Sequence, residues 1–541
     1  MSEFLIPATA KKLATLFLCL SFFSAFMATS FAAEISLDEA WKTLSVKNYN
    51  KKAQAIELIS AQNPAQAYLA FKAMLEGQLY FSKSSKQLFF MQEKANEYSF
   101  TPLFDAQPVT QKNKHGFRKV KINNRLRSLI RQSLAVIQLQ NDDADIRLSA
   151  LEELLKNPES KSANLINTII DKETDERVLR AMHILLAVIQ LEEGDEAKQS
   201  RAITTLAGSL NPSAVNALTN YSAPNQMLET KVEKAIKKIN EQRGLYAKVE
   251  TLFFGLSLGS VLALSAIGLA ITFGVMGIIN MAHGELMMIG AYTTYVVQLL
   301  MPDHIGISIV VAIPAAFLVS ALVGIAIERS VIRHLYGRPL ETLLATFGVS
   351  LILQQAVRSI FSPLNRSVIT PQWMSGAWHI NEVLALTWNR FYIIIFCLAV
   401  FVALVLVMKK TSLGLQVRAV SQNRKMARAM GVRSEWVDAL TFGLGSGIAG
   451  LAGVALSLLT NVGPNLGQAY IIDSFMVVVF GGVGNLWGTL VAGMSLGIIN
   501  KVLEPWAGAV LAKIIVLIFI ILFIQKRPKG LFPQRGRAAE D

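Results

Sequence analysis

Two textures divide the chain. Up to about residue 245, apolar residues recur at three- and four-residue steps among Lys, Glu, Asp, Gln and Asn, and glycine is sparse. That period predicts soluble helices. Three segments repeat a small residue, a large apolar one and then Leu: Ala150-Leu151 with Leu154, Ala181-Met182 with Leu185, and Ala202-Ile203 with Leu206. The pattern suits helix pairs stacked as a solenoid, and its uneven spacing suits an irregular helical domain equally. From Leu252 the texture changes to long apolar runs. Candidate membrane spans are 252–275, 284–300, 306–327, 341–361, 390–408, 436–460, 470–483, 487–503 and 507–525. A crossing needs about 20 apolar residues; the seventh and eighth runs are short and a glycine-rich break separates them. The expected fold is all-α, a polytopic helical membrane domain of nine spans, or eight, preceded by a helical soluble domain.

Two apolar runs are interrupted. Phe273–Gly290 contains Asn280, His283 and Glu285 among glycines 274, 277, 284 and 290. Charged and amide groups are costly in lipid and normally face a bundle interior or a cavity. Non-helical backbone survives at membrane depth only where protein or water covers it. The second interruption, Asp473–Gly488, carries Asp473 and places Asn485 among Gly481, Gly482, Gly484 and Gly488. A pair of broken segments in one bundle points to a transport site, so all five polar residues are candidates for a translocation pathway or gate. For Asp473 a helix N-cap at the interface is the alternative. His283 and Glu285 lack further ligands at metal spacing, so no metal site is expected.

Charge refines the topology. Hydrophobic residues make up 52% of the 541 and charged ones 17%, with a net charge of +14. Much of the surplus sits in loops 328–340 and 409–435 and in the tail from Lys526, whereas loop 362–389 has one arginine, Arg366, and loop 461–469 has none. Positive loops face the cytoplasm, which explains the surplus without nucleic acid. Residues 1–32 read as a signal peptide: Lys11 and Lys12, an apolar Leu13–Ala28, and Ser30-Phe31-Ala32 before a cut. An uncleaved first membrane helix is the alternative. The implied organisation is a leader at 1–32, a periplasmic helical domain at 33–245, a membrane domain at 250–526 and a cytoplasmic tail at 527–541. With the soluble domain outside and the tail inside, the crossings are odd in number. Nine spans satisfy this; eight require a re-entrant segment or a retained leader. This topology puts His283 and Glu285 near the cytoplasmic end of the first two spans. Of the two cysteines, Cys19 falls in the leader and Cys397 in a span, so no internal disulfide is expected.

Enzyme patterns fail on context. Gly255-Leu256-Ser257-Leu258-Gly259 lies inside an apolar run, where a nucleophile elbow needs a strand and a helix. Gly445-Ser446-Gly447-Ile448-Ala449-Gly450 lacks a βαβ unit; with Gly443 and Gly453 it is a small-residue seam for helix packing. No P-loop occurs. Loop 409–435, KKTSLGLQVRAVSQNRKMARAMGVRSE, is too long for a tight connection. Met426, Ala429 and Met430 give an amphipathic turn or two before a helix stop at Gly431. A helix lying on the membrane and one docking into a partner both fit.

The stretches GIINMAHGELMMIGAY (277–292), TSLGLQVRAVSQNRKMARAMGV (411–432), VVVFGGVGNLWGT (477–489) and RPKGLF (527–532) resemble the hallmarks of the branched-chain amino-acid type of ABC transporter permease. The resemblance covers about 250–537. Within that family NNRLR (123–127), the run 500–538 and the extra N-terminal domain resemble the urea-transporting branch. The resemblance implies an ATP-driven importer without a cofactor in this chain. Its partners would be a second permease subunit, two ATPase subunits and a periplasmic substrate-binding protein. The solute would be urea, or alternatively a branched-chain amino acid or short amide. It implies that 411–432 docks on an ATPase, with Gly414, Arg418, Ala419, Ala427 and Gly431 matching the family pattern. Rival readings are a membrane receptor, which the short tail disfavours, and an intramembrane enzyme, for which no nucleophile–base or metal set is present.

Overall fold

A computed structural model describes residues 36–94, 97–104, 109–111 and 115–532; the leader, with Cys19, and the tail beyond Phe532 lie outside these. The chain forms two compact units, one ending at Ile239 and the other starting at Asn240.

The first unit contains α1 (Leu37–Thr43), α2 (Tyr49–Gln62), α3 (Pro64–Glu76), strands β1 (Leu79–Ser82), β2 (Leu88–Lys94), β3 (Glu97–Pro102), β4 (Val109–Gln111) and β5 (Phe117–Lys119), then α4 (Asn124–Gln138), α5 (Ala144–Leu154), α6 (Ser160–Ile169), α7 (Glu176–Glu193), α8 (Glu196–Leu206) and α9 (Pro212–Asn220). Side-chain caps start most of these helices. Asn123, in the NNRLR motif, accepts from the Leu126 amide at 2.9 Å, and such a cap stabilises by about 1 kcal/mol. All nine residues of the three similar segments are buried in one core around α7, and successive helices pack on one another. The sheet corrects the purely helical expectation for this region. It is antiparallel, in the order β4-β3-β2-β1-β5. Period-two alternation sends Leu79, Phe81 and Leu88 into the helical core. Tyr80, Phe89 and Phe100 go to an aromatic cluster on the opposite face, where Phe100 and Phe117 stack at 3.9 Å. Aromatic runs such as LYF and LFF favour a pleated surface over a helix.

The second unit is a bundle of apolar helices: the apolar part of α10 (Gln226–Met276), α11 (His283–Leu300), α12 (Ile305–Ser330), α13 (Pro339–Phe361), α14 (Trp388–Lys410), α15 (Ser412–Gln422), α16 (Arg424–Ala429), α17 (Ser434–Ser457), α18 (Leu466–Gly481) and α19 (Leu486–Lys526). A small two-stranded ribbon, β6 (Ala377–His379) with β7 (Ala385–Thr387), sits in the loop before α14. Six helices of the described residues are long and apolar enough to cross a membrane. One of these, α19, is bent at Gly508, whose φ is +75°, and so supplies two of the nine apolar intervals. The two remaining apolar intervals fall on shorter helices, α11 with 18 residues and α18 with 16.

Glycines bring the helices into backbone contact. A Cβ on Gly255 would stand 2.7 Å from the Cα of Ile498, and one on Gly259 2.7 Å from that of Met494. Gly447 lies against Phe317, Gly450 against Ala316 and Ser320, and Gly453 against Met287. Both enzyme-like glycine patterns are therefore helix-packing seams, as small residues allow.

The loops segregate to two ends of this bundle. At one end Arg333 pairs with Glu435 at 2.7 Å, Arg424 reaches Tyr336 and Asp438, and the Phe532 amide donates to the Gly481 carbonyl at 3.2 Å. At the other, Arg366 exchanges backbone hydrogen bonds with Val462, and Asn389 Nδ2 donates to the Leu458 carbonyl at 2.7 Å. The arginine- and lysine-rich loops thus share a basic end, and loops 362–389 and 461–469, with few charges or none, the opposite end.

Candidate functional site

The first interruption begins where α10 ends. Gly277 turns the chain with φ +67°, and residues 277–282 climb back along the bundle before α11 starts. The height is read from partners. The Met281 amide donates to Thr346 Oγ1 at 3.1 Å. His283 Nε2 donates to the Ser265 carbonyl at 2.9 Å, about 16 Å of helix above the end of α10. Glu285 Oε1 accepts from Ser350 at 3.0 Å and Gln354 at 2.7 Å, the latter about 22 Å from the start of α13. His283 and Glu285 therefore lie deep in the bundle, not near the basic end as loop charge alone suggested. A turn that re-enters before its helix begins displaces every later residue from the position that span counting assigns.

At that depth α11 meets α18. A Cβ on Gly467 would stand 2.5 Å from the Gly284 carbonyl carbon, so the two helix starts touch through glycine backbone. Neither start has a side-chain cap hydrogen bond. Helix N-termini carry partial positive charge, and paired half-helix starts inside a bundle are a setting for a solute's polar groups. Asn280, His283 and Glu285 are all buried. Asn280 Oδ1 accepts from the Ala282 amide at 3.0 Å, but Asn280 Nδ2, His283 Nδ1 and Glu285 Oε2 have no partner. One donor and two acceptors are thus unsatisfied within six residues of chain, with His283 turned to α10 and Glu285 to α13; each such group costs about 1–3 kcal/mol.

The partners of Glu285 belong to a stripe that sequence reasoning missed. Thr342, Thr346, Ser350 and Gln354 recur every four residues on α13, and all are buried. Arg358 continues the row. Four-residue spacing of polar groups in an otherwise apolar helix was the available signal. It was hidden because each residue type is individually unremarkable.

The second interruption is built differently. Asp473 lies within α18 rather than at its start, and it pairs with Lys513 on the second half of α19 at 2.8 Å. Ser474 donates to Ser265 Oγ at 2.8 Å. Asn485 is the N-cap of α19, accepting from the Gly488 amide at 3.1 Å, while its Nδ2 donates to the Phe532 carbonyl at 3.2 Å. The Leu531 amide donates to the Phe480 carbonyl at 2.9 Å. Gly482, with φ +102°, lies against the backbone of Phe532. The RPKGLF motif therefore straps this break at the basic end. The structure buries Asn280, His283 and Glu285 with unmatched atoms and leaves Asp473 and Asn485 in separate, satisfied contacts.

Loop 409–435 forms a platform. Gly414 and Ala427 are buried; a side chain on Gly414 would run into the Met408 carbonyl. The Arg418 guanidinium donates to the same carbonyl, and Ala419 packs at the edge of a core of Val417, Val420, Ala427 and Val437. Gly431, at φ +86°, ends α16; its amide donates to Arg428 O and that of Val432 to Ala427 O, each at 3.0 Å, a closure that favours glycine. These five positions shape the platform, whose exposed surface carries Leu415, Met426 and Met430, 63%, 61% and 79% exposed, beside the exposed Lys425 and Arg428.

A bundle of apolar helices with buried polar groups at two meeting half-helices defines a helical membrane permease, a transport component rather than an enzyme. The family pattern described as "Branched-chain amino acid transport system / permease component" matches residues 251–524, and the chain belongs to that family. It is 29% identical over 297 residues to the high-affinity branched-chain amino acid transport system permease protein BraD of Pseudomonas aeruginosa, covering 53% of this chain and 96% of that one. It is 29% identical over 293 residues to the corresponding permease protein LivH of Escherichia coli, covering 52% and 94%. The ribose import permease protein RbsC of Escherichia coli is 25% identical over 263 residues, covering 47% and 77%. No solved structure matches the chain.

Proposed function

We propose that this chain is one permease subunit of an ATP-driven ABC importer of small polar solutes, with a branched-chain amino acid as the substrate. The observation that carries a transport site is the burial, with unmatched polar atoms, of Asn280, His283 and Glu285 in the re-entrant stretch that leads into α11 and in its first turn. The names of BraD and LivH favour the amino-acid substrate over urea. Urea is the second reading. It rests on the N-terminal unit, which extends this chain well beyond the half that those relatives cover, and on the resemblance to the urea-transporting branch. A neutral solute would suit Asn280 without a counter-charge.

In this reading a second permease subunit completes the passage and two ATPase subunits supply the energy. The platform docks on an ATPase through its exposed Leu415, Met426 and Met430, with Gly414, Arg418, Ala419, Ala427 and Gly431 holding its shape. A binding protein delivers solute on the periplasmic side of a bacterial inner membrane. The basic end is cytoplasmic, and the 33–245 domain is periplasmic and holds the binding protein. Uptake of labelled leucine and labelled urea in cells lacking this chain separates the substrates: loss of leucine uptake alone supports the first reading, and loss of urea uptake alone the second. Gly431→Asp is expected to abolish uptake while membrane insertion stays intact; normal uptake would remove the docking role.

A further inference from the structure

At the end of the bundle opposite the basic loops, α11, the last turn of α13 and the residues after it enclose an open cleft of about 520 Å³. Arg358 and Arg366 both line it, and no carboxylate does among the described residues. Arg358 uses one guanidinium nitrogen on Asn465 Oδ1 at 2.8 Å. Arg366 uses one on the Phe361 carbonyl at 3.0 Å, and its buried Nε has no partner. Behind Phe361 stands Tyr292, 3% exposed, whose ring packs on that of Phe361 with centroids 4.7 Å apart. Its hydroxyl also lacks a partner and lies within electrostatic range of Arg366. Ser362, on the cleft wall, has φ +74°, a conformation that is strained for a non-glycine residue and clusters at functional sites.

Arginine forks match carboxylates in geometry and charge. A guanidinium at the rim of an apolar bundle needs water, a headgroup or a ligand. Leu299, Ile360 and Phe361 add an apolar wall beside the two arginines. We propose that this cleft is an entry site for a carboxylate that carries a short apolar side chain, with the carboxylate on Arg358 and Arg366 and the side chain on the wall. This rests on the amino-acid reading above. From the cleft the polar row of α13 leads from Arg358 through Gln354 to Glu285, which joins the entry site to the meeting point of α11 and α18. Urea has neither the charge nor the apolar part that this cleft accommodates.

The carboxylate could belong to the free solute or to an acidic side chain of the delivering binding protein. The test uses the complete importer in proteoliposomes, carrying Arg366→Gln, Arg366→Lys or Arg358→Gln/Arg366→Gln. Two quantities are read: labelled leucine uptake at saturating binding protein, and the affinity of the binding protein for the importer. A solute site predicts that the double variant loses at least tenfold in uptake with docking unchanged, and that Arg366→Lys recovers part of it. Weakened docking, stronger at low salt, supports the same carboxylate chemistry from the protein source. Unchanged uptake together with unchanged docking overturns the proposal. Should the wild-type importer carry urea and not leucine, the amino-acid reading fails first. The docking measurement then decides the cleft by itself, with unchanged docking overturning it.

Discussion

The two interruptions look alike in sequence and differ in what surrounds them. Each is an apolar run with glycines and an asparagine at the break. At the first, the backbone re-enters the bundle, and Asn280, His283 and Glu285 end up buried with unmatched atoms. At the second, Asn485 caps a helix and ties down the tail, with both of its amide groups satisfied. Asp473 is likewise paired, with Lys513. A polar residue in an apolar run is thus only a candidate. Whether its hydrogen bonds are already filled separates a site available to a solute from one that holds the fold.

The largest test of this contrast is Gly284→Leu. Its Cβ alone would stand 2.8 Å from the Gly467 carbonyl carbon, and backbone cannot yield as a side chain can. Folded, monodisperse protein in detergent is expected to fall nearly to zero. Glu285→Leu comes next. It leaves the Ser350 hydroxyl without its acceptor and the Gln354 amide with only Ser350 Oγ at 3.3 Å; an unmatched buried group costs about 1–3 kcal/mol, and uptake is expected to drop at least tenfold. Glu285→Gln retains an acceptor oxygen and should keep the fold, which thermal unfolding in detergent would report. Asn485→Ala removes a cap and a tail contact, a loss of about 1–2 kcal/mol; uptake should stay within about twofold of wild type. Asn280→Ala should reduce uptake more than Asn485→Ala, and the reverse order would collapse the distinction between the breaks.

The smallest effect on transport is expected from a residue of neither break. In the first unit Glu173 receives a two-pronged hydrogen bond from Arg147, each arm 2.7 Å. This bond, above all, holds its carboxyl below the usual carboxylate range. Its contribution is therefore complete above the unfolded value of about 4.3 and is lost as pH falls through the lower folded value. Glu173→Gln should weaken hydrogen-exchange protection of α5 and α7 at neutral pH by on the order of 2 kcal/mol, and the gap from wild type should close on acidification. Uptake at neutral pH should not change.

The membrane helices and the glycine seams were legible because length and small-residue spacing are local properties. Gly443, Gly447, Gly450 and Gly453 read as a packing seam and pack as one. The five-stranded sheet was not legible beneath a background of helical periodicity. Its strands are short, and only β1 to β3 have aromatic alternation. The candidate site was half visible. Asn280, His283 and Glu285 stand out as residue types, whereas Thr342, Thr346, Ser350 and Gln354 acquire meaning only once α13 lies against α11. Arg358 and Arg366 share a cleft because α13 ends between them and the chain turns at Ser362. Depth was the clearest error: the climb of residues 277–282 cannot be counted from hydropathy.

The strap across the second break also bears on how the molecule is made. Leu531 and Phe532 bond to Phe480 and Gly481, and they follow α19, the last helix among the described residues. A ribosome shields a few tens of residues, so α18 and the first half of α19 reach the bilayer before their fastening has emerged. The basic end therefore closes only after α19 has been made. A chain stopped at Lys526 would contain all six long apolar helices of the described residues and yet lack the residues that close the basic end. Any fusion or affinity tag should begin well past Phe532.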